Sequence, residues 1–184
     1  MKKINKGDTP DFFTDYIKQH HPKKWEDIGA IRQKLRDHII KEQGNYCAYT
    51  EIRPSQTHID HFRKRDHFPQ DTFNYENLFV SCTSDKYGAN HKDRHVKPWD
   101  YAKIINPALD DPSEYIEFIY TGVVIAKDER GQTTIDMFNL NEPTLVERRK
   151  KSLLQMKDMY KEFDINQIIE FIGEFPSMLC QLYP

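Results

Sequence analysis

The sequence predicts an α+β fold forming one compact domain, and three observations carry that reading. Apolar residues recur at helical spacing in the first 44 residues and again after residue 142. From Asn45 to Asp100 that spacing gives way to a stretch rich in His, Asp, Asn and aromatic residues. After Pro107, an alternating segment, a Thr-Gly pair and a second apolar segment spell a hairpin. A chain of 184 residues is long enough to bury a core of its own. We divide it into a helical segment (1–44), a central core (45–100), and a hairpin with C-terminal helices (101–184).

The first helix starts at Asp8 or Thr9 before Pro10, carries Phe12, Phe13, Tyr16 and Ile17 on one face, and stops at Pro22. A second is expected from about Glu26 to Gln43, with Ile28, Ile31, Leu35 and Ile39 inward and Gly44 as its stop. In the centre, Tyr46–Thr50 and Thr57–Phe62 read as two short strands joined by a turn at Arg53-Pro54-Ser55. Tyr115–Tyr120 and Val123–Ala126 form the hairpin about Thr121-Gly122. Asn141 is expected to cap a long helix with Pro143 in its first turn and Leu145, Leu153, Met156, Tyr160 and Phe163 inward. Ile165, Ile168, Ile169 and Ile172 mark a last helix before Pro176.

Composition narrows the function classes. Hydrophobic residues make up 38% and charged residues 30%, and no run approaches the roughly 18 apolar residues that span a bilayer. MKKINKGDTP has basic residues but no apolar run behind them, so no signal peptide and no membrane partner are expected. Three cysteines are too few and too odd for a disulfide framework and point to a reducing, cytoplasmic setting. A net charge of -2 gives no global attraction to a polyanion. Nucleic-acid binding then needs a local patch or a partner.

The chemistry concentrates in His58-Ile-Asp-His61, Asn74-Tyr-Glu-Asn-Leu-Phe79 and Gly88-Ala-Asn-His-Lys92. Phosphodiester hydrolysis needs a base for water, a cation on the phosphate oxygens, and groups that hold both. An imidazole suits the first task, and a divalent ion held by Asp, Asn or His the second. His61 is the candidate base and Asp60 the candidate ligand. Neighbouring strand residues face opposite ways, so the pair serves one site only where a strand ends or bulges. Taken singly, each residue reads as a loop histidine or a turn asparagine. The ordered set is what counts.

Those residues, with Cys47-Ala-Tyr-Thr-Glu51 and Cys82, resemble the HNH (ββα-metal) endonucleases, and in particular the HNH subunits of Septu-type and retron-associated bacterial defence systems. The resemblance runs on through Asn106-Pro107, Asp111–Tyr115, Gly122 and Thr134–Asn141 into Leu145 and Arg148 or Arg149. It implies a small ββα-metal core packed among the helices, with the hairpin beside it. It implies a catalytic set of His61, Asn77 and His91, with Asn77 fixing the loop that orients His61. It also implies an Mg²⁺ or Mn²⁺ ion held by Asp60 and by Asn90 or His91, DNA as substrate, and an ABC or SMC-like ATPase as partner. Relatives use two cysteine pairs around structural zinc. Here Thr50 and a position near Tyr87 lack the thiols, so Cys47 and Cys82 read as a remnant and intact zinc is not expected.

Arg63, Lys64 and Arg65 after the base, and Lys92 and Arg94 after the third motif, are candidate phosphate contacts. Two rival readings are a non-catalytic HNH-fold module that binds DNA or the partner, and a nuclease that cuts RNA such as tRNA.

Overall fold

A computed structural model describes residues 1–183. The elements in order are α1 (Asp11–His20), α2 (Gly29–Glu42), β1 (Thr57–His61), β2 (Leu78–Cys82), α3 (Ala89–His95), β3 (Ile116–Phe118), β4 (Val124–Ala126), α4 (Glu129–Phe138), α5 (Pro143–Met159), α6 (Ile165–Ile172) and α7 (Pro176–Leu182). Helices joined to two separate antiparallel strand pairs, β1–β2 and β3–β4, make an α+β fold. No helix among the described residues is long and apolar enough to cross a membrane.

The N-terminal helices form where the apolar spacing puts them. α1 follows Pro10, buries Phe13 and ends at His21 in the left-handed region. The expected start of the second helix is a tight 3₁₀ turn, Trp25–Ile28, whose Asp27 carboxylate accepts from the Lys23 and Lys24 amides. α2 then buries Leu35 and Ile39.

The central strands correct the sequence reading. Thr57–His61 is a strand, but its partner is Leu78–Cys82 and not Tyr46–Thr50, which winds into turns. Cys47 N–H donates to Ile52 O and Ala48 N–H to Val80 O, so these turns lean against β2 without extending the ladder. The reason β2 hides in the sequence lies in its burial: all five residues are buried. Leu78 and Val80 pack into a cluster with Phe13, Trp25, Ile28, Leu35 and Ile39. Phe79 and Cys82 join a second cluster with Tyr49, Phe62, Phe138 and the C-terminal helices. A strand covered on both faces shows no alternation.

The hairpin forms as expected, with Gly122 at φ +80 in its turn. A Cβ there would lie 2.6 Å from the Val146 carbonyl, so only glycine lets the turn close on α5. Asn141 does not cap α5. It clips β4 instead, accepting from Val124 N–H and donating to Val124 O, both at 2.8 Å. Glu142 is the cap, accepting from the Thr144 amide at 2.7 Å and the Leu145 amide at 3.3 Å. Leu145, Leu153 and Met156 are buried as expected, whereas Tyr160 and Phe163 lie beyond the helix and are exposed.

Two further elements, α4 and α7, were not anticipated. The Asp128 side chain caps α4 at the Gly131 amide, and α7 places Phe175, Met178 and Leu179 in the core. Glu51, at φ 60, ties α7 to the central turns. Its carboxylate receives the Ser177 hydroxyl and, at 2.9 Å, the Ser177 amide, and the Met1 amino group lies 2.6 Å away. The Phe175 amide donates to the Glu51 carbonyl at 2.9 Å.

Candidate active site

The site forms where β1 ends. Asp60 pairs with Phe79 and His61 with Leu78 at the last rungs of the ladder. The chain then leaves through Phe62 and Arg63 into a loop that returns at Asn77. α3 crosses beneath. A cavity of about 220 Å³ opens between them, lined among others by His58, Asp60, His61, Arg65, Asn90 and Asp93.

His61 is held on two sides. Its Nε2 lies 3.0 Å from the Thr72 carbonyl, and its ring meets Trp25 edge-on at a 4.4 Å centroid distance. A carbonyl only accepts, so Nε2 carries the proton and Nδ1 keeps its lone pair. Burial pushes the imidazole down to about 4, so the ring is neutral near pH 7. A neutral, fixed imidazole with a free Nδ1 can take a proton from water.

Asn77 builds the loop that holds His61. Its Oδ1 accepts from Arg63 N–H at 2.7 Å, and its Nδ2 donates to Arg63 O at 3.0 Å and Asp71 O at 3.3 Å. The next carbonyl after Asp71 is that of Thr72, the one His61 uses. Phe62 N–H donates to the Asn77 carbonyl at 2.9 Å, extending the β1–β2 ladder by one bond.

Asp60 lines the same cavity as His61, is 3% exposed, and has its carboxylate taken up by neighbouring side chains. Its carboxylate receives the Tyr49 hydroxyl and the Lys92 ammonium, the latter at 2.9 and 3.1 Å. Burial would raise the Asp60 carboxyl, but Lys92 and the Tyr49 hydroxyl outweigh it and hold it below the usual carboxylate range. The same burial, followed by the Asp60 charge, drives the Tyr49 hydroxyl well up. Asp93 is raised, first by burial and then by Asp60.

The remaining residues expected in the site divide between the cavity and other surroundings. Asn90 lines the cavity and donates to Thr83 O at 3.2 Å and Asp85 at 3.3 Å. His91 does not line it. Its Nδ1 sits 2.9 Å from the Met137 carbonyl on α4, and its ring stacks on His95 at 4.2 Å. The expected phosphate contact Lys92 is wholly buried, so it cannot meet a phosphate from solvent. Arg63, Lys64, Arg65 and Arg94 stay partly exposed, each beside an acid: Asp71, Asp66, Glu26 and Asp85 respectively.

The residues present do not fit the expected divalent-ion site. Asp60 is engaged by an ammonium tethered to the chain, and His91 faces α4. Among the described residues, no three of His, Cys, Asp and Glu converge as a metal-binding group.

The cysteine remnant is a closed pocket of another kind. Cys47 and Cys82 place their sulfurs 3.8 Å apart, with Ser81 Oγ 3.5 Å from Cys47. A Cβ built on Gly88 would lie 3.5 Å from Cys82 Sγ and 3.9 Å from Thr50 Cγ2. The fourth corner, expected near Tyr87, is the adjacent Gly88. Two thiols, a hydroxyl and a bare glycine are not the four strong ligands a structural zinc takes.

No protein-family model matches the chain. Over 108 residues it is 30% identical to the Septu protein PtuB of Bacillus thuringiensis, covering 56% of this chain and 40% of PtuB. Over 141 residues it is 27% identical to a retron Vc95 protein of Vibrio cholerae named as a candidate HNH endonuclease, covering 69% of this chain and 67% of that protein. A retron Ec83 protein of Escherichia coli with the same kind of name is 21% identical over 219 aligned positions, covering 91% of this chain and 85% of that protein. The chain thus spans less than half the length of PtuB and about two thirds of the Vc95 protein. The motifs of the central segment and these matches agree: the chain is similar to the Septu protein PtuB and to retron proteins named as HNH endonucleases.

Proposed function

We propose that this chain is an endonuclease that hydrolyses DNA phosphodiester bonds as the nuclease subunit of an antiphage defence complex. One observation carries the reading: His61 is fixed through Nε2 on a loop that Asn77 builds, its Nδ1 is left with a lone pair, and the residue lines a cavity shared with Lys64 and Arg65 as well as with Asp60, Asp66 and Asp93. His61 takes the proton of a water molecule as its oxygen attacks phosphorus, and the leaving oxygen departs on the opposite side as its bond to phosphorus breaks, taking a proton from solvent water. Arg65 and Lys64 at the cavity rim offset the phosphate charge. Trp25 and the Thr72 carbonyl keep the ring from turning, which preserves the approach geometry.

The net charge of -2 and the acid beside each rim cation favour substrate delivery by a partner, and we assign that role to an ATPase subunit of the same defence system. Of the apolar residues on the C-terminal helices, Phe175, Met178 and Leu179 are core, while Leu154, Tyr160, Phe163 and Phe171 are exposed.

The test is cleavage of supercoiled DNA and of a tRNA substrate by the wild type and His61→Ala, with and without the product of the neighbouring gene. We expect DNA cleavage, stimulated by that product, and a loss of roughly 10²–10⁴-fold in a folded His61→Ala protein. Equal nicking by the two proteins refutes the assignment of the base, and cleavage confined to tRNA refutes the substrate.

A further inference from the structure

The ammonium of Lys92 sits in an oxygen cage. It lies 3.1 and 2.9 Å from the Asp60 oxygens, 2.8 Å from His61 O, 3.0 Å from Phe62 O and 3.2 Å from Asp93 Oδ1. Its side chain is 0% exposed. Five oxygens from the end of β1 and from α3, two of the residues carrying carboxylates, are what a hard divalent cation takes from a protein. The distances belong to an ammonium, since a magnesium ion demands about 2.0–2.1 Å.

We infer that Lys92 is the resident cation of this site: its ammonium fills the place beside His61 that the HNH pattern gives to a divalent ion, and Asp60 is the counter-ion of Lys92 and not a metal ligand. The inference rests on the reading of His61 as the base only for its functional meaning, because the cage itself is a matter of geometry.

Three physical arguments support it. The two carbonyls in the cage are those of His61 and Phe62, where the chain leaves the ladder. An ammonium donating to both fixes the exit of β1 and with it the direction of the His61 side chain. Lys92 is therefore a positioning residue. The second argument is charge. Asp60 is fully buried and has one cation in contact, so removing that cation leaves a carboxylate without compensation. The third is access. A divalent ion entering the cage must first expel a charge that has no contact with water. Breaking such a pair weakens the ion's apparent affinity by roughly 10²–10³-fold relative to an open site with the same ligands.

The experiment uses the intact protein and reads binding, so it stands apart from cleavage. Mn²⁺ binding is followed by electron paramagnetic resonance for the wild type and Asp60→Asn, and by thermal melting for the wild type and Lys92→Ala. Acylation of Lys92 by an amine-reactive reagent is followed by mass spectrometry with and without Mn²⁺. We expect weak Mn²⁺ binding that Asp60→Asn does not change, and a Lys92 that stays unlabelled in both conditions. Mn²⁺ is expected to raise the melting temperature of Lys92→Ala and not that of the wild type. Tight wild-type binding that Asp60→Asn abolishes, or labelling of Lys92 that rises with Mn²⁺, overturns the inference. If Lys92→Ala does not fold, the labelling of the wild type decides alone. A cleavage-inactive protein that passes these tests would sink the proposed activity and leave the cage standing.

Discussion

Replacing Asn77 with Ala is expected to loosen the loop that carries His61, and the cost is readable from the bonds it removes. The amide makes three contacts, to Arg63 N–H, Arg63 O and Asp71 O, and Asn77 itself is 5% exposed. A buried polar group that loses its partner costs about 1–3 kcal/mol. Arg63 N–H loses its acceptor outright, while the two carbonyls lie in a part-buried loop where water can reach them. Taking the first in full and the others in part gives about 2–4 kcal/mol. At about 2–4 °C per kcal/mol for a chain of this size, melting should fall by roughly 4–16 °C. The companion Asn77→Asp keeps the acceptor for Arg63 N–H but turns a carboxylate oxygen toward two carbonyls. It should therefore be no better than Ala. The assay is thermal unfolding, with cleavage measured well below both midpoints. Cleavage should fall in the folded variants, because the Thr72 carbonyl that aims His61 belongs to the same loop. A drop of less than 2 °C, or an Asn77→Asp protein as stable as the wild type, would refute the reasoning.

Two other outcomes follow from the same geometry. The protein should carry much less than one zinc per chain and keep its melting temperature in chelator, since Thr50 and Gly88 stand at the other two corners of the Cys47–Cys82 pocket; stoichiometric zinc lost together with the fold would contradict this. His61 should titrate well below 6.5, near 4, in the folded protein, as followed by its ring resonances. The unfolded chain then binds that proton first, so its contribution to stability is full above about pH 6.5 and is lost as pH falls toward 4. An imidazole that titrates at or above 6.5 would show that its burial is misread.

The sequence made the helices legible and the strand pairing less so. Ile28, Leu35 and Ile39 recur at helical spacing and are buried as that spacing requires. β2 carries no alternation because two cores cover it, and the turns at Tyr46–Thr50 mimic a strand by their aromatic content. In the site, Asp60, His61, Asn77 and Asn90 come together around β1 and α3 from a motif of ordered residues. The role of Lys92 was not legible, since a lysine amid Arg and His reads as a surface charge until its depth is known. Trp25 and Thr72, which hold the ring of His61, are distant in sequence and belong to no motif. The same limit hid the depth of Arg149, which is 1% exposed and donates to Gly122 O at 3.1 Å.

The clip between Glu51 and Ser177 sets a schedule for synthesis. The two residues are 126 positions apart, and at roughly 5–20 residues per second the ribosome needs about 6–25 s to supply the second after the first. Through that interval the turns beside β2 lack the hydroxyl and the amide that bind the Glu51 carboxylate. The core carrying His61 is therefore made early and secured late. A growing chain would carry the His61 loop through that whole interval without the clip that ties the central turns to α7.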